Sequence, residues 1–515
     1  MNSENAPVAP PVVRRLELMS AFAVAGLCLC VTYLVPGLSP YQPWRPGEPV
    51  PVLAALLPRE APRIIEDDRG ELIEAPEEAP PPPPPAALPS DVALAGVGAL
   101  PAREPGVPTA LEDPDHRGMD HYYRALAGLG RSTRIVRALH YGDSTIAADG
   151  ITSTVRTRVQ ARFGNGGPGF LPAGMDPRWN MRSDLSLSRQ GGWSTHSLLN
   201  GGNNGRFGLG GIASTASSGG YLVIRPKMDT PTAAVPWARA ELWYRGEGGG
   251  RVWASADDQP AGEAGANGAG DTKLIKELPT GFSKFAFGST GAPVLFYGAV
   301  LESHGPGVTW ESLGVVGVGA KSFTYANKRH LNDQSASRNP DLVVVMLGGN
   351  DAGYPVLMTG DGMGYLPYFQ TAIRAVRSGA PNSSCLIVSP LDQGTRDVTT
   401  TTAEDGTVTE SRGPARSKPS MKRLVDVQRY AATTEGCAFW DARAAMGGEG
   451  AIMRWGARRP PLAWADLLHL SGAGLDIVGQ MLADAIESGY DHWQASGGLK
   501  RGLPKPPGPP VTPTP

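Results

Sequence analysis

The sequence predicts an α/β fold built on a parallel sheet, interrupted by a β-sandwich and flanked by proline-rich ends. Three observations carry that expectation. Residues 342–347 (LVVVML) are continuously apolar, as in a parallel strand covered on both faces. Residues 134–144 (RIVRALHYGDS) read as a strand running into a turn, and Ile151, Val155, Val159 and Phe163 then recur at helical spacing, with Gly164 placed to end the helix. Residues from about 176 to 310 are rich in Gly, Ser and Thr and carry short alternating runs at 221–225 (YLVIR), 240–244 (AELWY), 251–254 (RVWA) and 293–298 (PVLFYG), the signature of a β-sandwich.

Length and composition bound the rest. A chain of 515 residues suggests two or three domains. Four cysteines exclude a disulfide-stapled scaffold, and a net charge of −2 argues against a nucleic-acid binder that relies on a basic surface. Of the 49 prolines, 23 fall in residues 1–120 and 7 in 501–515, which leaves ordinary globular composition between them. That body is long enough to bury a sizeable core.

Residues 18–35 contain no charge, and at about 1.5 Å per residue they reach roughly the hydrocarbon thickness of a bilayer. Arg14 and Arg15 precede them, so the expected arrangement is a cytoplasmic segment 1–17, a membrane anchor 18–36 and an exported remainder. The alternative is a cleaved signal peptide. No A-x-A site follows the apolar run, however, and Pro36 comes directly after it. A lipoprotein signal is disfavoured because Leu27, not a small residue, precedes Cys28. Residues 37–119 read as a linker: prolines 80–85 are unbroken and favour polyproline II, and residues 60–78 hold eight acids against two arginines. Residues 493–515 read as a similar proline-rich tail.

Three short segments carry the chemistry. Gly142-Asp143-Ser144 sits at a strand-to-helix turn, where a serine hydroxyl protrudes and its backbone N–H is free. Gly348, Gly349, Asn350 and Asp351 follow the apolar strand at its C-terminal end, where open α/β sheets bind ligands, and an amide such as Asn350 can donate to a developing oxyanion. Asp466 and His469 precede an amphipathic helix with Leu475, Val478, Leu482 and Ile486 on one face; three residues of separation on a turn let a carboxylate hold an imidazole in one tautomer. Taken singly, each segment is most simply a turn or a cap. Taken together, they supply a nucleophile, an oxyanion donor, an orienter and a base.

That combination resembles the SGNH/GDSL hydrolase superfamily through Gly-Asp-Ser at 142–144, Gly-x-Asn-Asp at 348–351 and Asp-x-x-His at 466–469. The resemblance implies a flavodoxin-like three-layer sandwich. Ser144 would be the nucleophile, His469 the base and Asp466 its orienter. The oxyanion hole would form from Ser144, Asn350 and a backbone glycine, with Asp143 and Gly348 in support. The glycine falls in residues 314–323 (GVVGVGAKSF), where Gly319 is the choice and Gly317 its rival. No metal or organic cofactor is implied, and His116, His196 and His492 lack metal-ligand spacing. Residues 140–170 are similar to the first block of members related to peptidoglycan O-acetylesterases, although Thr145 stands where those often carry histidine. Such members carry a jelly-roll insertion after this block. The expected division is therefore a hydrolase domain in two parts, 120–175 and 311–492, around an inserted β-sandwich at 176–310.

Trp179, Trp193, Trp237, Trp243 and Trp253 fall in the insertion, as core residues or as platforms for sugar rings. Cys385 and Cys437 begin two expected strands, 384–389 and 437–441. Because cysteines facing across neighbouring parallel strands pair poorly, they are expected to be free buried thiols. The leading expectation is a serine esterase anchored in a bacterial-type cytoplasmic membrane, acting on the exported side to remove acetyl or other small acyl groups from an envelope polysaccharide such as peptidoglycan. An acyltransferase with the same triad and an inert polysaccharide-binding protein are the alternatives.

Overall fold

The computed structural model describes residues 109–174, 181–246, 248–268, 270–402 and 408–501, with two short strands at Ile64–Glu66 and Leu72–Glu74. Those two strands pair antiparallel within a separate compact unit. The expected anchor at 18–36 and Trp179 lie outside the described residues, as do segment 1–17, most of the linker and the end of the tail. No helix among the described residues is long and apolar enough to cross a membrane.

The larger unit is built on a five-stranded parallel sheet: β1 (Ile135–Gly142), β2 (Gly307–Gly314), β3 (Leu342–Met346), β4 (Ser384–Val388) and β5 (Ala438–Trp440). Their order is β2-β1-β3-β4-β5, the flavodoxin-type order, so the sheet changes direction of growth between β1 and β3. Every residue of β3 is buried, which is why its sequence lacks polar alternation. On one face, Val136, Ala138, Trp310, Val344 and Val388 pack against α1 (Asp120–Gly128), α3 (Gly150–Phe163) and α7 (Gly472–Ala495). On the other, Leu139, Leu313, Val345 and Ile387 pack with α5 (Leu366–Arg377) and α6 (Ser420–Glu435). Ile151, Val155 and Val159 of α3 are fully buried, and Gly164 ends that helix at φ 98°.

The chain between α3 and β2 forms two antiparallel sheets. One has the order Gln259–Ala266, Gly250–Ala256, Phe285–Thr290, Tyr221–Pro226, Leu185–Gln190. In the other, Asp271–Phe282, Trp237–Gly246, Val294–Ser303, Ile212–Ala216 and Trp193–Ser197 follow in turn, with Gly169–Pro172 also paired to Val294–Ser303. Ile224, Val252 and Phe287 of the first meet Leu242, Tyr244 and Phe296 of the second in one core. The two-residue period turns Trp243 the other way, onto Phe170 and into the core of the parallel-sheet layer. This continuous apolar contact is reinforced by buried charge. Arg338, at the end of α4 (Lys328–Arg338), bonds both Glu302 of the antiparallel layer and Glu311 of β2, and Arg137 of β1 reaches Glu302 at 2.8 Å.

The core reading of the tryptophans holds for two of them, and the free-thiol expectation for the cysteines does not. Trp237 and Trp243 are core residues and Trp193 and Trp253 are half-buried, so the exposed tryptophan among those described is Trp464 (40%), beside Asp466. Cys385 and Cys437 form a disulfide, not free thiols. Cys437 lies one residue before β5, and its amide bonds to Ala432 instead of the ladder. The register Leu386↔Ala438 sets it opposite Cys385 with Cα atoms 4.6 Å apart, inside the disulfide range.

Candidate active site

The register of the parallel sheet assembles the site. Gly142 of β1 lies opposite both Gly314 of β2 and Met346 of β3, so three loops leave the C-terminal edge at one level, at the switch point. Gly142 is required there: a Cβ would stand 2.2 Å from Ile146 Cγ1 and 2.8 Å from the Met346 carbonyl. Asp143 closes the turn. Its Oδ1 accepts the Thr145 amide at 2.9 Å, and its carbonyl accepts those of Ile146 and Ala147. Ser144 is thereby the first residue of α2 (Ser144–Ala147), at a position where helix geometry leaves the amide unpaired. Burial pushes the Asp143 carboxyl up, against the pull of the Thr145 hydrogen bonds and of His469.

Ser144 Oγ lies 3.2 Å from His469 Nε2, and His469 Nδ1 lies 2.7 Å from Asp466 Oδ2. A carboxylate only accepts, so the Nδ1 proton faces Asp466 and leaves Nε2 free to accept from the serine hydroxyl. The other Asp466 oxygen accepts the amides of Leu468 at 2.9 Å and His469 at 3.0 Å. This tight turn forces Leu467 to φ 63°, a conformation that costs a branched residue of order 1–3 kcal/mol. The turn is held because Leu467 is buried, its carbonyl accepts the Gly394 amide at 2.8 Å, and the Trp464 amide donates to the His469 carbonyl at 2.9 Å. The hydrogen bond to Asp466 raises the His469 pKa above its ordinary value, against the burial that would lower it. Burial alone would raise Asp466, but the hydrogen bonds from His469 and the two amides hold it below the usual carboxylate range.

On the loop after β3, Asn350 opens a short 3₁₀ turn and is exposed, its Nδ2 donating one bond to the Val318 carbonyl at 3.0 Å. Its other amide hydrogen remains for an incoming oxygen. Gly319 is packed on this loop: a Cβ there would lie 2.0 Å from Asp351 Oδ1. The Gly319 amide is 3.4 Å from Ser322 Oγ, a long contact that a better acceptor displaces. Gly348 turns the chain at φ 117°, where a Cβ would meet Gln428, and a Cβ on Gly349 would lie 3.1 Å from Asp143 Oδ2. The nucleophile turn, the glycine loop and the Asn350 loop therefore touch one another.

Two residues given no role by the sequence complete this side. Asp351 is fully buried; its Oδ2 accepts the Ala320 amide at 3.0 Å and the Tyr365 hydroxyl at 2.6 Å, while Oδ1 has no partner among the described residues. Burial pushes its carboxyl up despite these bonds. Asp351 was visible as the last residue of Gly-x-Asn-Asp, but no sequence signal marks Tyr365 as its partner.

Residues 267–477 match the model of the GDSL-like lipase/acylhydrolase family. The match holds Gly319, Gly348, Asn350, Asp466 and His469 and begins after Ser144, which the sandwich separates from the rest. Comparison with curated proteins finds no match. Among solved structures, a peptidoglycan O-acetylesterase superposes with a TM-score of 0.58 at 22% identity, over 72% of this chain and 96% of that one. That likeness is one of fold. A family two carbohydrate esterase from Clostridium thermocellum aligns at 12% identity over 58% of this chain and 100% of its own, with a TM-score of only 0.25.

Proposed function

We propose that the chain, whose residues 267–477 match the GDSL-like lipase/acylhydrolase model, is a serine esterase of SGNH/GDSL type, anchored in a membrane and exported, that removes acetyl or other small acyl groups from an envelope polysaccharide. The hydrogen-bonded line Ser144–His469–Asp466, at 3.2 Å and 2.7 Å, carries the reading. In this scheme His469 Nε2 takes the Ser144 proton as Oγ attacks the ester carbonyl. The oxyanion is met by the amides of Ser144 and Gly319 and by Asn350 Nδ2, each worth about 3 kcal/mol in the transition state. Collapse expels the sugar hydroxyl, which receives its proton from His469, and leaves an acyl-Ser144 ester. Water, deprotonated by His469, then hydrolyses that ester and frees the carboxylate.

The polymer substrate is supported by the openness of the site. The side chains of His469 and Asp466 are 35% and 36% exposed, as suits an ester carried on a chain too large to enter a closed pocket. The superposable peptidoglycan O-acetylesterase supports the same class. Export is supported by the Cys385–Cys437 disulfide and by the charge-free run at 18–35. The test is acetate release from O-acetylated peptidoglycan, and hydrolysis of 4-nitrophenyl acetate, by the full chain and its Ser144→Ala variant. Release by the wild type alone is expected. Hydrolysis of the aryl ester that survives Ser144→Ala overturns the triad. Aryl-ester hydrolysis without acetate release, but with acetyl appearing on an added sugar acceptor, makes the enzyme a transferase.

A further inference from the structure

A groove of about 570 Å³ runs between the antiparallel layer and helix α4, lined among others by Arg206, Trp243, Arg245, Lys273, Asn327 and Arg329. Its polar groups fall into two classes. Some are committed to each other: Asp271 accepts from His330 Nδ1 at 2.7 Å and from the Tyr297 hydroxyl at 2.8 Å, and it pairs with Arg245. His330 in turn accepts the Gly208 amide at Nε2, so its ring is fixed as the neutral tautomer and serves as wall. Others are left over. Among the described residues, the guanidinium groups of Arg206 and Arg329 have no hydrogen bond or ion pair. Lys273 is partly committed: its Nζ lies 3.8 Å from the Trp243 ring centroid and makes a long ion pair with Glu241, also at 3.8 Å. Asp333 is the lining carboxylate that opposes them.

The backbone segments that carry the two arginines are tied together. The Asn327 amide donates to the Gly205 carbonyl at 2.9 Å, which ties the loop bearing Arg206 to the helix start bearing Arg329. One short element joins the groove to the candidate site along the chain. The 3₁₀ helix Ala320–Tyr325 begins directly after Gly319 and ends just before Asn327; at about 2 Å per residue it spans about 12 Å. Guanidinium forks match carboxylates bidentately, and junctions between layers are where ligand sites concentrate.

We propose that this groove is a subsite for a carboxylate-bearing stretch of the glycan whose ester reaches Ser144. The inference rests on the polysaccharide reading above. Arg206 and Arg329 clamp the carboxylates, Lys273 adds its charge at the floor over the buried Trp243 ring, and an uncharged glycan gains nothing there. The carboxylates come either from peptides, as in peptidoglycan, or from uronic acid rings.

The experiment is cosedimentation of the full chain bearing Ser144→Ala, which cannot consume the ligand, with insoluble peptidoglycan, cross-linked polygalacturonate and uncharged xylan. Binding to at least one carboxylate polymer is expected to exceed binding to xylan. Adding Arg206→Ala and Arg329→Ala should weaken it at least fivefold, and amidating the polymer's carboxyl groups should weaken it equally. The polymer that loses binding identifies the carboxylate source. Equal binding to charged and uncharged polymers, or no change in the double variant, overturns the proposal. Arg329→Ala alone, at an exposed position, serves if the double variant misfolds, and should show part of the loss. With Ser144 intact, the double variant should hydrolyse 4-nitrophenyl acetate as the wild type does. An inactive wild type would count against the esterase while leaving the binding result to decide the groove.

Discussion

The two sides of the candidate site are built in different ways. The dyad side is local: Asp466 orients His469 from three residues away, and the same carboxylate pins the amides of Leu468 and His469. The proposed oxyanion side is assembled at long range. Gly319 and Asn350 come from loops after different strands and are coupled by Asn350 to Val318 and by Asp351 to Ala320. A local device is written whole in a four-residue motif. A long-range one leaves only its end points in the sequence, and its supports have to be found in space.

Alanine scanning breaks the comparison most strongly. Removing the base should stop both acylation and deacylation, so His469→Ala is expected to lower kcat by about 10⁴-fold or more. Asn350→Ala removes one of the three proposed donors and should cost about 10²–10³-fold. Single-turnover hydrolysis of 4-nitrophenyl acetate measures both. An Asn350 loss as large as that of His469 would mean that the oxyanion hole has no other effective donor and that Gly319 does not contribute.

The pH profile sharpens the dyad half. His469 acts as base only when neutral, so activity falls as pH drops through its pKa. Because the Asp466 hydrogen bond raises that pKa, the acid limb should lie above the ordinary histidine value of about 6.5. Asp466→Asn removes the raising influence and should move the limb to lower pH, while lowering the plateau by up to about 10⁴-fold through loss of the tautomer. An acid limb that does not move would assign the titration to another group.

How far the sequence was legible follows the same division. The strand at 342–347 and the α3 face of Ile151, Val155 and Val159 could be read because burial on one or both faces leaves a period in the residues. The alternating runs of the sandwich were readable for the same reason. Which face each tryptophan took was not, since Trp243 is set by register and turns from one core into the other. The disulfide was missed because its geometry depends on where β5 begins: Cys437 stands just outside the ladder. Asp466 and His469 were legible together, yet the left-handed Leu467 between them was not, because its strain is relieved by Gly394, more than seventy residues away. Arg206 and Arg329 were silent, since what matters about them is the partner each lacks.

The smallest expected effect tests whether the long-range side is more than scaffolding. Asp351 touches no reacting atom. It is a positioning residue that fixes the Ala320 amide, and through it the direction of the Gly319 N–H. Because burial pushes its carboxyl up, a neutral side chain of the same shape suits the site, and Asp351→Asn should keep kcat within about threefold. Asp351→Ala should lower kcat about tenfold with KM unchanged, because the loss falls on a donor used only in the transition state. Tyr365→Phe, which removes the 2.6 Å bond that holds Asp351, should lie between them. A purely structural role would lower the melting temperature of all three variants in step and leave kcat at permissive temperature untouched. The split between the amide and alanine variants is what a structural role would not produce.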